Sequence, residues 1–268
     1  MDLRDASLNS VTVKGTPADQ VVDLALTNGF GGVGLWRDTL EGQNLASLRR
    51  RATAEGIAVT SVCRGGMFTH TDLSRADAIH EDNCRAVEQA HDLGAECLVL
   101  VCGPVVQPGI TVSRSQIADG IAALEPVARA AQVRLAVEPM HPMMAASRSA
   151  ITSLQEATAL VRAIGSEWVG LAIDAYHVWW DHRLDTELDA AAGLMASIQV
   201  ADWVSPICDE LDSRAMPGDG CIDLTGFIGL ARQAGYRGLV EIEVLSRRWW
   251  AQSAQTTAAA AAAAAAAL

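Results

Sequence analysis

No stretch of this chain approaches the ~20 consecutive apolar residues that a bilayer crossing needs, although 50% of its 268 residues are hydrophobic. The beginning, Met1-Asp-Leu-Arg-Asp5, lacks the basic flank and apolar stretch of a secretory leader. Positive charge is scarce as well. A formal net charge of −12 opposes binding to any polyanion, because nucleic-acid affinity rests largely on neutralising phosphates. The cysteines Cys63, Cys84, Cys97, Cys102, Cys208 and Cys221 include no CxxC pair, so neither a disulfide framework nor a structural zinc site is indicated. Most of them read as small buried apolar residues. No glycine-rich phosphate turn follows the first apolar run, since Val11 to Gly15 supplies none. These absences together predict a soluble cytoplasmic protein that engages neither membrane nor nucleic acid.

What the chain does have is a repeated unit of short apolar run, loop and amphipathic segment, recurring roughly every 30 residues. The runs are Leu8 to Val13, Gly32 to Leu35, Ile57 to Cys63, Cys97 to Cys102, Val133 to Glu138, Val169 to Asp174, Ser197 to Ala201 and Leu239 to Val244. Helical segments between them stop at Gly29, Gly56 and Gly94. Strands alternating with helices are parallel, and right-handed crossovers wind such units into a closed α/β barrel of the (β/α)8 or TIM type. The length suits one such barrel, commonly ~250 residues. A single domain over residues 1–248 is predicted, followed by an alanine-rich tail over 249–268 that is either a helix or placeholder sequence.

Four of the runs change abruptly from apolar to oxygen-bearing side chains: Leu135-Ala-Val-Glu138, Leu171-Ala-Ile-Asp174, Ser197-Ile-Gln199 and Leu239-Val-Glu-Ile-Glu243. In a barrel the C-terminal ends of the strands form the active face, so Glu138, Asp174, Gln199 and Glu243 share one sector. Three carboxylates there repel one another unless protons or a cation intervene, and a divalent metal meets that need. Oxygen donors favour Mg2+ or Mn2+; the nearby His141 and His177 leave Co2+ or Zn2+ open.

The segments Val137-Glu-Pro-Met-His141, Ile173-Asp-Ala-Tyr-His177, Ile198-Gln-Val-Ala-Asp202, Met216-Pro-Gly-Asp-Gly220 and Gly235-Tyr-Arg-Gly-Leu-Val-Glu-Ile-Glu243 resemble the successive motifs of the xylose-isomerase-like barrels. That group holds sugar isomerases and epimerases, hydroxypyruvate isomerase, inosose dehydratase and isomerase, and endonuclease IV, and the likeness runs to about Ser246. The resemblance implies that Glu138, Asp174, Gln199 and Glu243 hold the metal. It also implies that Glu138 and Glu243 serve as the acid and base, and it selects Glu243 over Glu241, which shares its face. Gln at the third position is what hydroxypyruvate isomerase has, whereas the ketose epimerases use His. Arg214 matches a basic residue that contacts substrate oxygens in the epimerases.

His177 and His141 are further candidates for binding substrate, with Trp36 and Arg64 at the exits of the second and third runs. Trp36, Met67, Trp179, Trp180 and Trp203 either wall the site or cover the barrel rim and a contact between subunits of a homo-oligomer. The expected activity is isomerisation or epimerisation of a small sugar-like α-hydroxycarbonyl compound by Glu-mediated proton transfer through a metal-stabilised enediolate. Rival readings are a metal-dependent lyase or dehydratase, a carbon-glycoside-cleaving enzyme for a cyclic or aryl-bearing polyol, and a non-catalytic binding barrel. An apurinic-site endonuclease is disfavoured by the charge and by the presence of only 6 histidines.

Overall fold

Strands buried on both faces need cover on both sides, and here they obtain it by closing into a ring. In the computed structural model, which describes residues 1–209 and 211–268, the ring consists of β1 Ala6–Asn9, β2 Gly32–Trp36, β3 Ala58–Gly66, β4 Cys97–Val101, β5 Arg134–Val137, β6 Val169–Asp174, β7 Met195–Val200 and β8 Val240–Ile242. Each strand pairs in parallel with the next, and β8 closes on β1. Between them lie α1 Ala18–Asn28, α2 Leu45–Ala54, α3 Ala76–Leu93, α4 Ile110–Ala131, α5 Leu154–Ile164, α6 Leu184–Ala190 and α7 Leu224–Gln233. The fold is the single-domain (β/α)8 barrel that the alternation predicted. Gly29 and Gly94 end α1 and α3 in the left-handed conformation, at φ 82° and 66°, which costs a residue without Cβ little.

The first strand lies earlier than its apolar pattern suggested. It ends at Asn9, whose side-chain oxygen accepts from the Val11 N–H at 2.8 Å and turns the chain. Val11 and Val13 are buried from a turn rather than a strand. Thr12 then ties this turn to the exit of β8, donating to the Ile242 carbonyl at 3.0 Å and accepting from the Val244 N–H at 2.9 Å.

The alanine tract forms helix α8, Ala254–Ala267, begun by Ser253, whose side chain accepts from the Thr256 N–H. Ala258, Ala261, Ala262 and Ala265 are buried at helical spacing against α1 and β1, so α8 occupies the place of an eighth barrel helix. Methyl-sized side chains let its backbone approach closely. Among the described residues no helix is long and apolar enough to cross a membrane.

One excursion shapes the mouth. Asp202–Trp203 pairs antiparallel with Arg214–Ala215, and the buried Asp202 carboxylate accepts from the N–H groups of Gly218, Gly220 and Ile222 at 2.9–3.0 Å. That carboxylate folds the Met216 to Gly220 segment back on itself and points Arg214 into the barrel.

Candidate active site

The carboxylates that leave the strand ends of one sector are buried. Asp174 is the last residue of β6, Glu138 follows β5 and Glu243 follows β8, with relative exposures of 0, 3 and 5%. Gln199, also 0% exposed, sits in β7 in register with Asp174 on one side and Glu241 on the other. The Asp174 carboxylate caps a single helical turn, Ala175–Val178, by accepting from the Tyr176 N–H at 2.9 Å. That turn brings His177 back over the strand. Glu138, Asp174 and His177 each present a ligand atom within 4.8 Å of the others, with His177 Nε2 3.7 Å from Glu138 and 3.9 Å from Asp174.

The floor beneath is organised by Glu241. Its carboxylate accepts from Asn9 at 2.6 Å, Thr60 at 2.7 Å, Ser61 at 2.9 Å and the Gln199 amide nitrogen at 2.9 Å. Gly34 leaves the room for it, since a Cβ there would stand 2.4 Å from the Glu241 Cδ. Holding the amide nitrogen of Gln199 fixes the opposite direction of its carbonyl oxygen, which is buried without a hydrogen-bond partner among the described residues. Glu243 is held from the other side, accepting from Asn9 at 3.0 Å and from the Trp36 indole at 3.1 Å.

The electrostatics are strained. Burial first, then the charges of Glu243 and Asp174, hold the Glu138 carboxyl well above the usual range. Burial, Asp174 and Glu241 push Glu243 up to about 8. Burial raises Asp174 too, against the pull of Arg214, which donates to it at 3.2 Å. His177 is held neutral, its pKa driven well down by burial and by Arg214. Among the described residues, four buried carboxylates (138, 174, 241 and 243) gather about one buried guanidinium, Arg214, so negative charge is in excess. Protons or a divalent cation offset that excess. The donors fit such a cation: two carboxylates within reach of each other, a third lining the same cleft, and an orphaned amide oxygen oriented by its neighbour. His177 fits less directly. Both ring nitrogens lie beside donors, Nδ1 3.3 Å from the His141 N–H and Nε2 3.4 Å from the Arg214 guanidinium, and a neutral imidazole can accept from one of them.

Of the residues singled out from the sequence, Glu138, His177, Arg214, Glu243 and Trp36 line one cleft at the mouth, with Asp174 and Gln199 buried beside them. Arg214 stacks 3.8 Å above the Tyr176 ring. His141 packs between Trp180 and Trp203 and meets the site through its backbone, while Arg64 gives its carbonyl to Arg37 at 3.4 Å; neither side chain lines the cleft. Trp179 and Trp180 lie outside the cleft, and Met67 faces a separate surface hollow. The sequence reading passed over Cys63, Arg148, Leu211 and Leu245, which also line the cleft. Three of these stand in loops, where no periodicity marks a direction. It also passed over Glu241 as the floor's anchor, although alternation had placed it on the same face as Glu243.

A family model described as xylose isomerase-like TIM barrel matches residues 22–267. The structure is similar to the crystal structure of protein SMc04130 from Sinorhizobium meliloti 1021, at TM-score 0.93 and 37% identity over 98% of this chain and 97% of that one. In sequence the chain is 26% identical to a putative L-ribulose-5-phosphate 3-epimerase, SgbU, of Escherichia coli (strain K12), over 72% of this chain and 68% of that protein. It is 25% identical to a 3-dehydroshikimate dehydratase of Pseudomonas aeruginosa over 90% of this chain, which spans only 38% of the dehydratase.

Proposed function

This chain belongs to the xylose isomerase-like TIM barrels, and on that footing we propose that it is a metal-dependent isomerase or epimerase of a small sugar-like α-hydroxycarbonyl compound. The observation that carries the reading is the pair Glu138 and Glu243, both buried, both binding a proton more tightly than an ordinary carboxylate, on the wall of one cleft. Buried carboxyls that hold a proton above the ordinary carboxylate range suit proton transfer to and from carbon.

Glu138, Asp174, Gln199 and Glu243 would hold the cation, with His177 alongside. When bound, it polarises a carbonyl and the adjacent hydroxyl and so acidifies the C–H between them. Oxygen donors dominate, which favours Mn2+ or Mg2+. One glutamate in its carboxylate form removes the carbon-bound proton, and the other, protonated, returns one. Return to the opposite face inverts the centre, and return to the neighbouring carbon exchanges aldose for ketose. Arg214 and His177 supply donors to the substrate oxygens, and Arg214 opposes the upward pull of burial on Asp174. The apolar wall of Val101, Met140, Met144 and Leu245 keeps water from the carbanion.

The relationship to a dehydratase supports a second reading. Removal of the same proton followed by loss of a β-hydroxide makes a lyase from the same residues. Incubation of the Mn2+-loaded protein with candidate ketoses in deuterated water separates the two. Deuterium at carbon without change of composition is the outcome expected of an isomerase or epimerase, and loss of a water mass is that of the lyase. Failure to bind Mn2+, together with no exchange on any candidate, would refute both.

A further inference from the structure

Glu243 is gripped by the chain that leaves β1. Thr12 brackets its backbone, donating to the Ile242 carbonyl at 3.0 Å and accepting from the Val244 N–H at 2.9 Å, and Asn9 holds its side chain. Asn9 is fully buried, and the Val11 N–H occupies its amide oxygen at 2.8 Å, so the amide nitrogen faces the other way. That nitrogen carries two hydrogens, and two carboxylates take them: Glu241 Oε1 at 2.6 Å and Glu243 Oε1 at 3.0 Å. Glu241 is in turn fastened by Thr60, Ser61 and Gln199, so Asn9 ties Glu243 to the floor of the site. Trp36 brings a second donor to the same atom. Its indole N–H stands 3.1 Å from Glu243 Oε1, and its backbone N–H donates to Ser10 Oγ at 2.8 Å. Both donors to Oε1 are therefore set by two consecutive residues, Asn9 and Ser10. The last torsion of a glutamate is soft and roughly two-fold, so an unheld carboxylate presents either oxygen. Two charge-assisted hydrogen bonds to one oxygen remove that equivalence.

We propose that Asn9, together with the Trp36 indole, is the positioning device of Glu243: by pinning Oε1 it assigns contact with the cation and with the substrate proton to Oε2. This role rests on the proposed reading of Glu243 as cation ligand and acid or base. Asn9 does not line the cleft, so it acts through Glu243 alone. A neutral donor suits the place better than a lysine or arginine would, because it orients the carboxylate without cancelling the charge that attracts a metal ion. It also stands between two carboxylates that share one face of a strand, and its two hydrogens offset their mutual repulsion.

Calorimetric titration of the full chain with Mn2+ at one fixed pH tests this in two backgrounds, the unaltered protein and Glu243→Ala. Asn9→Ser leaves a side-chain oxygen for the Val11 N–H, since serine makes the same kind of turn, but it is too short to bridge the two glutamates. In the unaltered background it is expected to weaken Mn2+ binding by about tenfold, the lower end of the range for residues that orient metal ligands. In Glu243→Ala the same substitution is expected to change the affinity by less than about twofold, because the side chain that Asn9 aims is gone. Trp36→Phe takes the other donor from Oε1 and is expected to show the same pattern with a smaller loss. A purely structural role would lower Mn2+ affinity equally in both backgrounds, and that result overturns the proposal. So does an Asn9→Ser protein that binds Mn2+ as the unaltered chain does. Should Asn9→Ser not fold, the two Trp36→Phe titrations decide in its place, with an equal loss in both backgrounds, or none in either, as the overturning result. An unaltered protein that binds no Mn2+ removes the proposed function and the role of Asn9 together, whereas a failed comparison in a protein that binds Mn2+ removes the role of Asn9 alone.

Discussion

Raising the pH in the presence of a divalent cation should strengthen the protein's grip on that cation by an amount the site itself sets. Glu243 titrates at about 8 in the folded chain against an ordinary 4.5, and Glu138 is also held well above 4.5. In metal-free protein these carboxyls therefore contribute stability below their unfolded pKa, and that contribution is lost as pH rises through the folded value. The slope is about 1.4 kcal/mol per pH unit for each proton that the folded state binds and the unfolded state does not. A cation displaces those protons, so its apparent affinity rises tenfold per pH unit for each proton released. Between about pH 6.5 and 8 the gain is about 16-fold for one proton leaving a group that titrates at about 8, and larger if Glu138 releases one too. One displaced proton corresponds to about 2 kcal/mol over that interval, which adds about 4–8 °C to the melting temperature increment at fixed excess metal. Calorimetric titration of Mn2+ at several pH values, run in buffers of different ionisation enthalpy, measures both the affinity and the protons released. A Mn2+ affinity that is flat across this interval, or a slope unchanged by Glu138→Gln, would show that the raised carboxyl pKa values have nothing to do with cation binding.

Other consequences follow from the same geometry. Glu243→Gln is expected to lower turnover by on the order of 10²–10⁴, as loss of a general acid or base does, while circular dichroism remains that of a folded barrel; near-wild-type turnover would refute its role. Gly34→Ala drives a methyl into the Glu241 carboxylate, which should cost about 1–3 kcal/mol in urea unfolding and also weaken Mn2+ binding by releasing the Gln199 amide; a neutral effect on both would mean Glu241 does not orient Gln199. Arg214→Met removes the buried partner of Asp174 and should cost about 3–5 kcal/mol in metal-free protein, with Mn2+ restoring part of the loss; a variant equally impaired with and without metal would separate Arg214 from the site's charge balance. Arg247→Ala frees Asp209 and Asp212, to which Arg247 is ion-paired at the edge of the segment carrying Leu211; substrate KM should change while urea stability does not, and a purely global loss of stability would contradict that assignment.

The barrel was legible because parallel strands buried on both faces read as unbroken apolar runs, as in Cys97–Val101 and Val169–Asp174. The first strand misled for a local reason: Val11 and Val13 are apolar and alternate, but Asn9 bonds the Val11 N–H and ends the strand before them. The strand-end carboxylates were legible for the same reason as the strands, since each marks the step out of an apolar run. Which neighbours complete them was not. His177 reaches Glu138 and Asp174 through a single helical turn set by an aspartate cap, and Arg214 arrives from a hairpin whose return is fixed by Asp202, twelve positions earlier in the sequence. Both depend on contacts between loops, and loop direction carries no period.

The site is built on a floor of buried side chains bonded to one another. Glu241 is anchored to Asn9, Thr60, Ser61 and Gln199 from strands spread around the barrel, and all are buried. Displacing it would break several hydrogen bonds to a charged group at once, with no water to replace them. Above it, the free space among the cleft-lining side chains is about 20 Å³, room for about one water or one ion and far too little for a sugar-sized molecule. The strand-borne walls are locked into the barrel, whereas Leu211 rides on a surface segment whose ties to Arg247 are exposed to solvent and so weakly stabilising. The buried floor keeps the carboxylates in register, and Leu211 is the cleft-lining side chain flanked by solvent-exposed ion pairs.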